Sequence, residues 1–330
     1  MRPLYRPLTA TLAATLAAAA AATLVAAPAQ AKPAITLTPG GLDRGADVAG
    51  PHLDGDGHTI VDGSVRVKVS GAQVRLLGKS GATYVAGTTN ERGGNGRVYR
   101  VAADGSKTLI AKAHPFMSVL SADGATLVTT KVGRTSRSLV SVYDVATATL
   151  EVEGNFRDYA IALDVQGDRV LLGTTKKTLL WDSQAHDVAT VSRDPGYNGD
   201  LAADVMATFT KDPYDGGCTE VRRIVSGELL WRSCTEQVAA FNADASRIAT
   251  VGILSDGPGP GRVDARTISG QHLGRYQVRS GWFGEIRWET PTALLLDVNG
   301  ARKAFTARCT ANACERASSL HPAQTLRAQS

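Results

Sequence analysis

The chain has 330 residues, with 36 Lys and Arg against 31 Asp and Glu and a formal net charge of +5. So close a balance does not point to a nucleic-acid or anionic-membrane partner, and none is expected. The length is enough for a domain with a large core.

Residues 1–31 read as a signal peptide: Arg2 and Arg6 supply the positive start, residues 8–27 are a run of Ala, Leu, Thr and Val, and Ala29-Gln30-Ala31 is a small-x-small cleavage site. The run is alanine-rich rather than leucine-rich, which separates it from a transmembrane anchor. No Cys or Arg-Arg pair marks lipoprotein or twin-arginine export. The expectation is a secreted, extracellular protein cleaved after Ala31, without a membrane anchor. Its four cysteines should then be disulfides. Residues 32–49 form an N-terminal segment in which "AITLT" (34–38) is a candidate ring-closing strand, the C-terminal tail being the other candidate.

The first distinctive phrase is "DGDGHTIVD". It sets Asp54, Asp56, His58 and Asp62 at alternate positions, like the opening half of a calcium loop. Such a loop needs Gly at its sixth position and Glu at its twelfth, and these hold Thr59 and Val65. The phrase also aligns with a turn that recurs along the chain. A scaffold turn is therefore favoured; calcium is the ion the four side chains would take, and no cofactor is otherwise expected.

The recurrence organises everything that follows. The anchors Leu77, Leu120, Leu163, Leu201, Phe241 and Trp288 stand 43, 43, 38, 40 and 47 residues apart. Most lead through a turn such as Asp123-Gly124 or Asp244-Ala245 into an apolar strand: "TLVTT", "RVLLGTT", "RIATVG", "ALLLDV". A third strand ("LVSVYDVATA", "TLLWDSQAH") and a fourth ("TLEVEG", "VATVSR") complete each unit. Helical periodicity is absent after residue 31, so the chain reads as all-β, built from four-stranded antiparallel meanders. Small sheets with this period bury both faces by packing radially.

The residues carry a resemblance. Tyr143-Asp144 and Trp181-Asp182 stand where WD40-type repeats have their Trp-Asp pair, and "SADGATL" is similar to the S-x-D-G-x-x-L phrase of TolB-like propellers. Residues 50–316 thus resemble the β-propeller superfamily, with 317–330 as a tail. That resemblance implies a scaffold rather than a particular activity. Seven blades fit the length better than six.

Cys218 and Cys234 fall opposite each other if Ser226-Gly227 is a hairpin turn, and Cys309 and Cys314 do so about Ala311-Asn312. Opposed positions on antiparallel strands lie within disulfide reach. Neither pair has metal-site spacing.

No nucleophile elbow or zinc-protease motif occurs, and the six histidines are scattered. The clue to function is loop length. In a propeller the second-to-third-strand loops share a face with the blade connectors, and that face receives the segments 89–96, 113–116, 131–138, 193–199, 211–217, 254–261 and 280–284. They carry Arg92, Arg134, Arg137, Tyr197, Asp212, Tyr214, Asp215, Trp282 and Phe283. Tyr, Trp and Arg dominate binding hot spots, and long loops on a rigid scaffold are where binding sits. The expected function is a monomeric, non-catalytic propeller that binds a protein, peptide or glycan there. The alternative is a propeller hydrolase or lactonase with a metal in the axial channel.

Overall fold

The described residues, 33–311 and 313–323 of a computed structural model, fold into seven small antiparallel sheets. The expected signal peptide with its Ala31 cleavage site, Asn312 of the second cysteine hairpin and the tail residues 324–330 lie outside them. After β1 (Ile35–Thr36), the first blade is β2 (His52–Leu53), β3 (Thr59–Asp62) and β4 (Val65–Lys68). The second is β5 (Gln73–Ser80), β6 (Thr83–Thr89), β7 (Arg97–Val101) and β8 (Lys107–Ala111). The third is β9 (Ser118–Leu120), β10 (Thr126–Val132), β11 (Arg137–Asp144) and β12 (Thr149–Arg157). The fourth is β13 (Ile161–Gln166), β14 (Arg169–Gly173), β15 (Thr178–Asp182) and β16 (Asp187–Ser192). The fifth is β17 (Gly196–Asp200), β18 (Val205–Phe209), β19 (Thr219–Arg223) and β20 (Leu229–Ser233). The sixth is β21 (Glu236–Phe241), β22 (Arg247–Gly252), β23 (Arg262–Thr267) and β24 (His272–Gln277). The seventh is β25 (Trp282–Trp288), β26 (Leu294–Asn299) and β27 (Lys303–Cys309), its outer edge shared by β28 (Cys314–Arg316) and β29 (His321–Pro322). The chain is a seven-bladed β-propeller.

The second strands explain the ring. Along "RVLLG", Val170 and Leu172 pack with Val128, Val140 and Phe156 of blade three, while Leu171 packs with Leu201 and Met206 of blade five. In blade seven, Leu294 and Leu296 face Ala249 and Val263 of blade six, and Leu295 packs the other way with Val48 and Ala317. Side chains alternate across a strand, so a strand apolar at consecutive positions needs a neighbour on each side. Trp181 meets Phe156 of the preceding blade edge-on at 5.1 Å, while Asp182 Oδ1 accepts from the amides of Gln184 and Ala185 to form the next turn. Tyr143-Asp144 ends in the same kind of turn, with Thr147 donating to Asp144. The Trp-Asp phrase is therefore packing followed by a turn.

The first blade departs from the expected alignment. Ala49 donates to Glu289 at the first-to-second-strand turn of blade seven, and Gly55 lies against His321 at the opposite end. β2 thus runs counter to the other blades' first strands, and the three strands match the second to fourth of those blades in direction. The expected ring-closing role of residues 34–38 is not what the structure shows. β1 pairs in parallel with β24 as a fifth strand of blade six, Ile35 opposite Tyr276. Leu37 is buried in the core between blades six and seven, and that burial fixes the position of the strand. The chain then follows β28, with Gly45 donating to Arg316 and Val48 to Ala317. Arg308 holds this strap, donating to the carbonyls of Ala46 and Asp47 while paired with Glu289 and Glu315.

Both disulfides form as expected, Cys218–Cys234 and Cys309–Cys314, each closing a third-to-fourth-strand hairpin with Cα separations of 4.0 and 4.1 Å. Loop-closure entropy predicts that Cys218→Ala/Cys234→Ala lowers unfolding free energy by about 3 kcal/mol and the Cys309/Cys314 pair by about 2 kcal/mol, measured by chemical denaturation. Gly124 supplies a second test. Its φ is +73°, and a β-carbon there would lie 2.0 Å from the Lys79 carbonyl oxygen. Gly57 has φ +68° but open space around it. Gly57→Ala should cost about 1 kcal/mol of backbone strain, whereas Gly124→Ala adds a backbone clash and should cost about 3 kcal/mol.

Candidate functional site

The meander sends first-to-second and third-to-fourth turns to one end of the ring, the turn face, and second-to-third loops and blade connectors to the other, the loop face. Turns on the turn face are short and internally bonded. Ser121 donates to Asp123 Oδ1 at 2.6 Å, Ala125 N–H to the same oxygen at 3.0 Å, and Thr126 N–H to the Ser121 hydroxyl at 2.9 Å. Asn242 and Asp244 repeat the pattern in blade six. The loop face is built from longer segments: 90–96, 210–218 and 253–261 between second and third strands, with connectors 112–117 and 278–281.

The expected binding residues divide into two groups. Arg92, Arg134 and Arg137 are exposed on the loop face, as are Asp212, Tyr214 and Asp215. The Asp212 carboxylate accepts from Tyr214 N–H at 2.9 Å and starts a 3-10 turn, Pro213–Asp215, that lifts the Tyr214 ring into solvent at 68% exposure. The Tyr214 hydroxyl donates to Asp256 at 2.9 Å, tying the loops of blades five and six together. Trp282 is half-buried against Gly259. Phe283 is fully buried in the core between blades six and seven and presents nothing to a partner. Tyr197 is also inward: its ring stacks on Phe209 at 4.0 Å and its hydroxyl accepts from Val238 N–H of blade six at 2.9 Å. Burial pushes that phenol up to about 12. Both aromatics join neighbouring blades beneath the loops.

Segment 131–138, expected as a loop, is half strand. β10 reaches Val132 and β11 starts at Arg137, leaving a turn at 133–136 closed by Gly133 N–H to Arg137 O at 2.7 Å. Two exposed aromatics were not among the binding residues named from the sequence, although the connector 113–116 that carries Phe116 was expected on this face. Phe116, 60% exposed, lies under the Arg75 guanidinium at 5.1 Å. Tyr159, 45% exposed, follows Asp158, and both have positive φ, 54° and 59°. Left-handed backbone at two successive non-glycine residues is unfavourable, and no side-chain pattern in "RDYA" signals it.

The four candidate calcium ligands are not brought together. Asp54 pairs with Arg66, and Asp56 accepts from His58 N–H, Thr59 N–H and the Thr59 hydroxyl within one turn. Asp62, at the far end of β3, pairs with Lys79 at 2.8 Å, which holds its carboxyl below the usual range. Among the described residues, no group of three or more His, Cys, Asp or Glu is placed to hold a metal ion.

Among the described residues, clefts open on the turn face. One, of about 540 Å³, lies between blades two and three, where Arg100 is spent on the carbonyls of Val145 and Ala146. Another, of about 200 Å³, is lined by Asp123, Asp164 and Asp200 among others. Asp164 accepts from Leu201 N–H at 2.6 Å, and burial, with Asp200 nearby, pushes its carboxyl up to about 6.

No family profile and no curated protein matches the chain. Solved structures do. A chain of the mitotic checkpoint complex superposes with a TM-score of 0.55 at 17% identity, covering 96% of this chain and 90% of that one. Hsv2 of Kluyvelomyces marxianus gives 0.52 at 12% identity over 79% of this chain and 92% of that one. The WD40 repeats of RRP9 give 0.50 at 10% over 76% and 84%. At these identities the likeness is one of fold, with WD40 propellers among those that share it.

Asp164 supplies a pH test. Its carboxyl binds a proton more tightly in the folded chain than in the unfolded one. The stabilisation is fully present below the ordinary value of 3.8 and is lost as pH rises through about 6. Asp164→Asn should therefore be more stable than the parent by about 3 kcal/mol at pH 7.5 and indistinguishable from it at pH 3.5, read from urea midpoints at the two pH values.

Proposed function

We propose that this chain is a non-catalytic binding propeller that takes a protein, peptide or glycan partner on its loop face. The observation that carries the reading is where large apolar side chains remain in solvent. Among the described residues, Phe116, Val132, Tyr159, Tyr214 and Leu254 are exposed on the loop face; Val225 and Leu229 are exposed at the turn face, Leu109, Leu150 and Val188 on outer strands, and the exposed aromatics are all on the loop face. Exposed aromatics gathered on one face mark an interaction site rather than scattered surface. Those aromatics are held out by fixed structure: Tyr214 by an Asp212-capped turn, Tyr159 by a left-handed pair and Phe116 by Pro115 at the head of a 3-10 turn. Preorganised aromatic anchors lose little entropy on binding. The structural likeness to WD40 propellers, RRP9 among them, agrees with a scaffold role. The two disulfides fit an oxidising compartment and so support the secreted location read from residues 1–31.

The test uses photo-crosslinking residues at positions 116 and 214, with position 225 as the opposite-face control. The full chain is exposed to the medium and surface of its own cells. Adducts of one defined mass from 116 and 214, and none from 225, are expected. Adducts from 225 alone would overturn the face assignment. Phe116→Ala/Tyr214→Ala should remove the adduct formed from a crosslinker at 159 while leaving the melting temperature unchanged, because both side chains are exposed.

A further inference from the structure

The loop face is not electrically uniform. Lys131, Arg134 and Arg137 stand on the β10–β11 hairpin, and Arg157 ends β12 directly opposite Arg137 in the ladder. Like charges at directly opposed positions repel and destabilise a strand pair. All four are exposed, and among the described residues no carboxylate lies within ion-pairing distance of any of them. The repulsion stands uncompensated in the free chain.

The next blade continues the same field. Thr178 pairs with Ser192, so Lys177 and Arg193 flank that pair at the loop-face ends of β15 and β16, with Lys176 at the hairpin tip. Two backbone bonds join the blades into one ribbon: Tyr159 N–H to Ser136 O at 3.1 Å, and Thr175 N–H to Asp158 O at 3.0 Å. Seven cationic side chains therefore line adjoining segments of blades three and four. Among the described residues only Lys176 has an ion-pair partner, Asp158 at 3.0 Å. Asp194 lies toward blade five, where Glu220 and Arg222 set its surroundings. Within the ribbon, Val132 and Tyr159 are 42% and 45% exposed. Ser136, Asp158 and Tyr159 all hold positive φ, a clustering of strained backbone of the kind found at binding sites.

We infer that this ribbon binds an acidic stretch of polypeptide. Guanidinium forks pair with carboxylates in two-point geometry, and a carboxylate seated between Arg137 and Arg157 relieves their mutual repulsion. An anionic polysaccharide would satisfy the cations but leave the aliphatic Val132 without a matching apolar contact. A polypeptide that interleaves acidic and apolar side chains satisfies both. This assignment rests on the loop face being the binding surface and names the chemistry of one part of it.

The test uses the full chain and a fluorescein-labelled peptide of repeating Glu-Asp-Leu, about twelve residues long, enough to cross two blades in extended form. Anisotropy should show binding that weakens as salt rises. Arg137→Ala/Arg157→Ala and Lys176→Ala/Arg193→Ala, changed on different elements, should each weaken it roughly tenfold. Arg157→Ala alone should raise the melting temperature by removing the opposed charge. No peptide binding at low salt, or binding by both double variants as tight as by the unsubstituted chain, would overturn the inference. So would competition in which oligogalacturonate binds and the peptide does not. If the crosslinks from 116 and 214 persist in either double variant, the loop-face reading survives the failure of this one.

Discussion

Everything in this ring depends on second strands that are apolar on both faces. Leu171 cannot be buried by the blade that buries Val170 and Leu172, so each sheet must be sandwiched between two others. A four-stranded sheet with two such faces has no stable existence alone, and closing the sequence of sheets into a circle satisfies every one of them. The large aromatic side chains serve this same boundary. Trp181, Tyr197 and Phe283 all lie between blades, and Tyr197 adds a hydroxyl that satisfies a backbone amide of the next blade.

Closing the ring also divides its two ends. On the turn face, short side chains are consumed in making the turn: Ser121 and Asp123, Asp144 and Thr147, Asp182, Asn242 and Asp244 all bond to backbone or to each other within a few residues. Carboxylates used in this way have little left for a ligand. The loop face also caps its turns with side chains such as Asn90, Thr174 and Asp212, but it keeps others for solvent. Among the described residues Arg134, Arg137, Arg157 and Arg193 have no carboxylate partner, and Tyr214 keeps its ring in solvent although its hydroxyl is bonded.

Much of the fold was legible because it repeats. The anchor spacing, the Asp-Gly turns and the opposed cysteines are local signals that survive in one dimension, and each has its structural counterpart. The first blade misled because "LDGDGHTIV" has the turn chemistry of the other anchors but joins strands running in the opposite direction. Turn chemistry does not encode strand direction. Candidate site residues were legible only as residue types. Phe283 and Tyr197 satisfy a hot-spot composition as well as Tyr214 does, and only alternation across the inner strands turns them inward. Tyr159 stands outside because of a backbone conformation that no side-chain pattern announces. The cationic ribbon was hidden in an overall charge close to balance. Its seven members come from four segments spread over some sixty residues, and only the meander brings them together.

The strap made by the first described residues has a consequence for the order of assembly. Thr36 meets Gln277 across 241 residues of chain, and Arg44 meets Arg316 across 272. Contacts so distant in sequence carry a large loop-closure cost, which must be met before they contribute anything. On a ribosome, blades one to five can stack as they emerge, but the strap has nothing to pair with until blades six and seven have been made. Its binding is therefore a late event in folding. Until then Ile35 and Leu37 remain in solvent, and once blade six has formed the outer edge of β24 stands unpaired until the strap arrives, which leaves both open to association with a second copy.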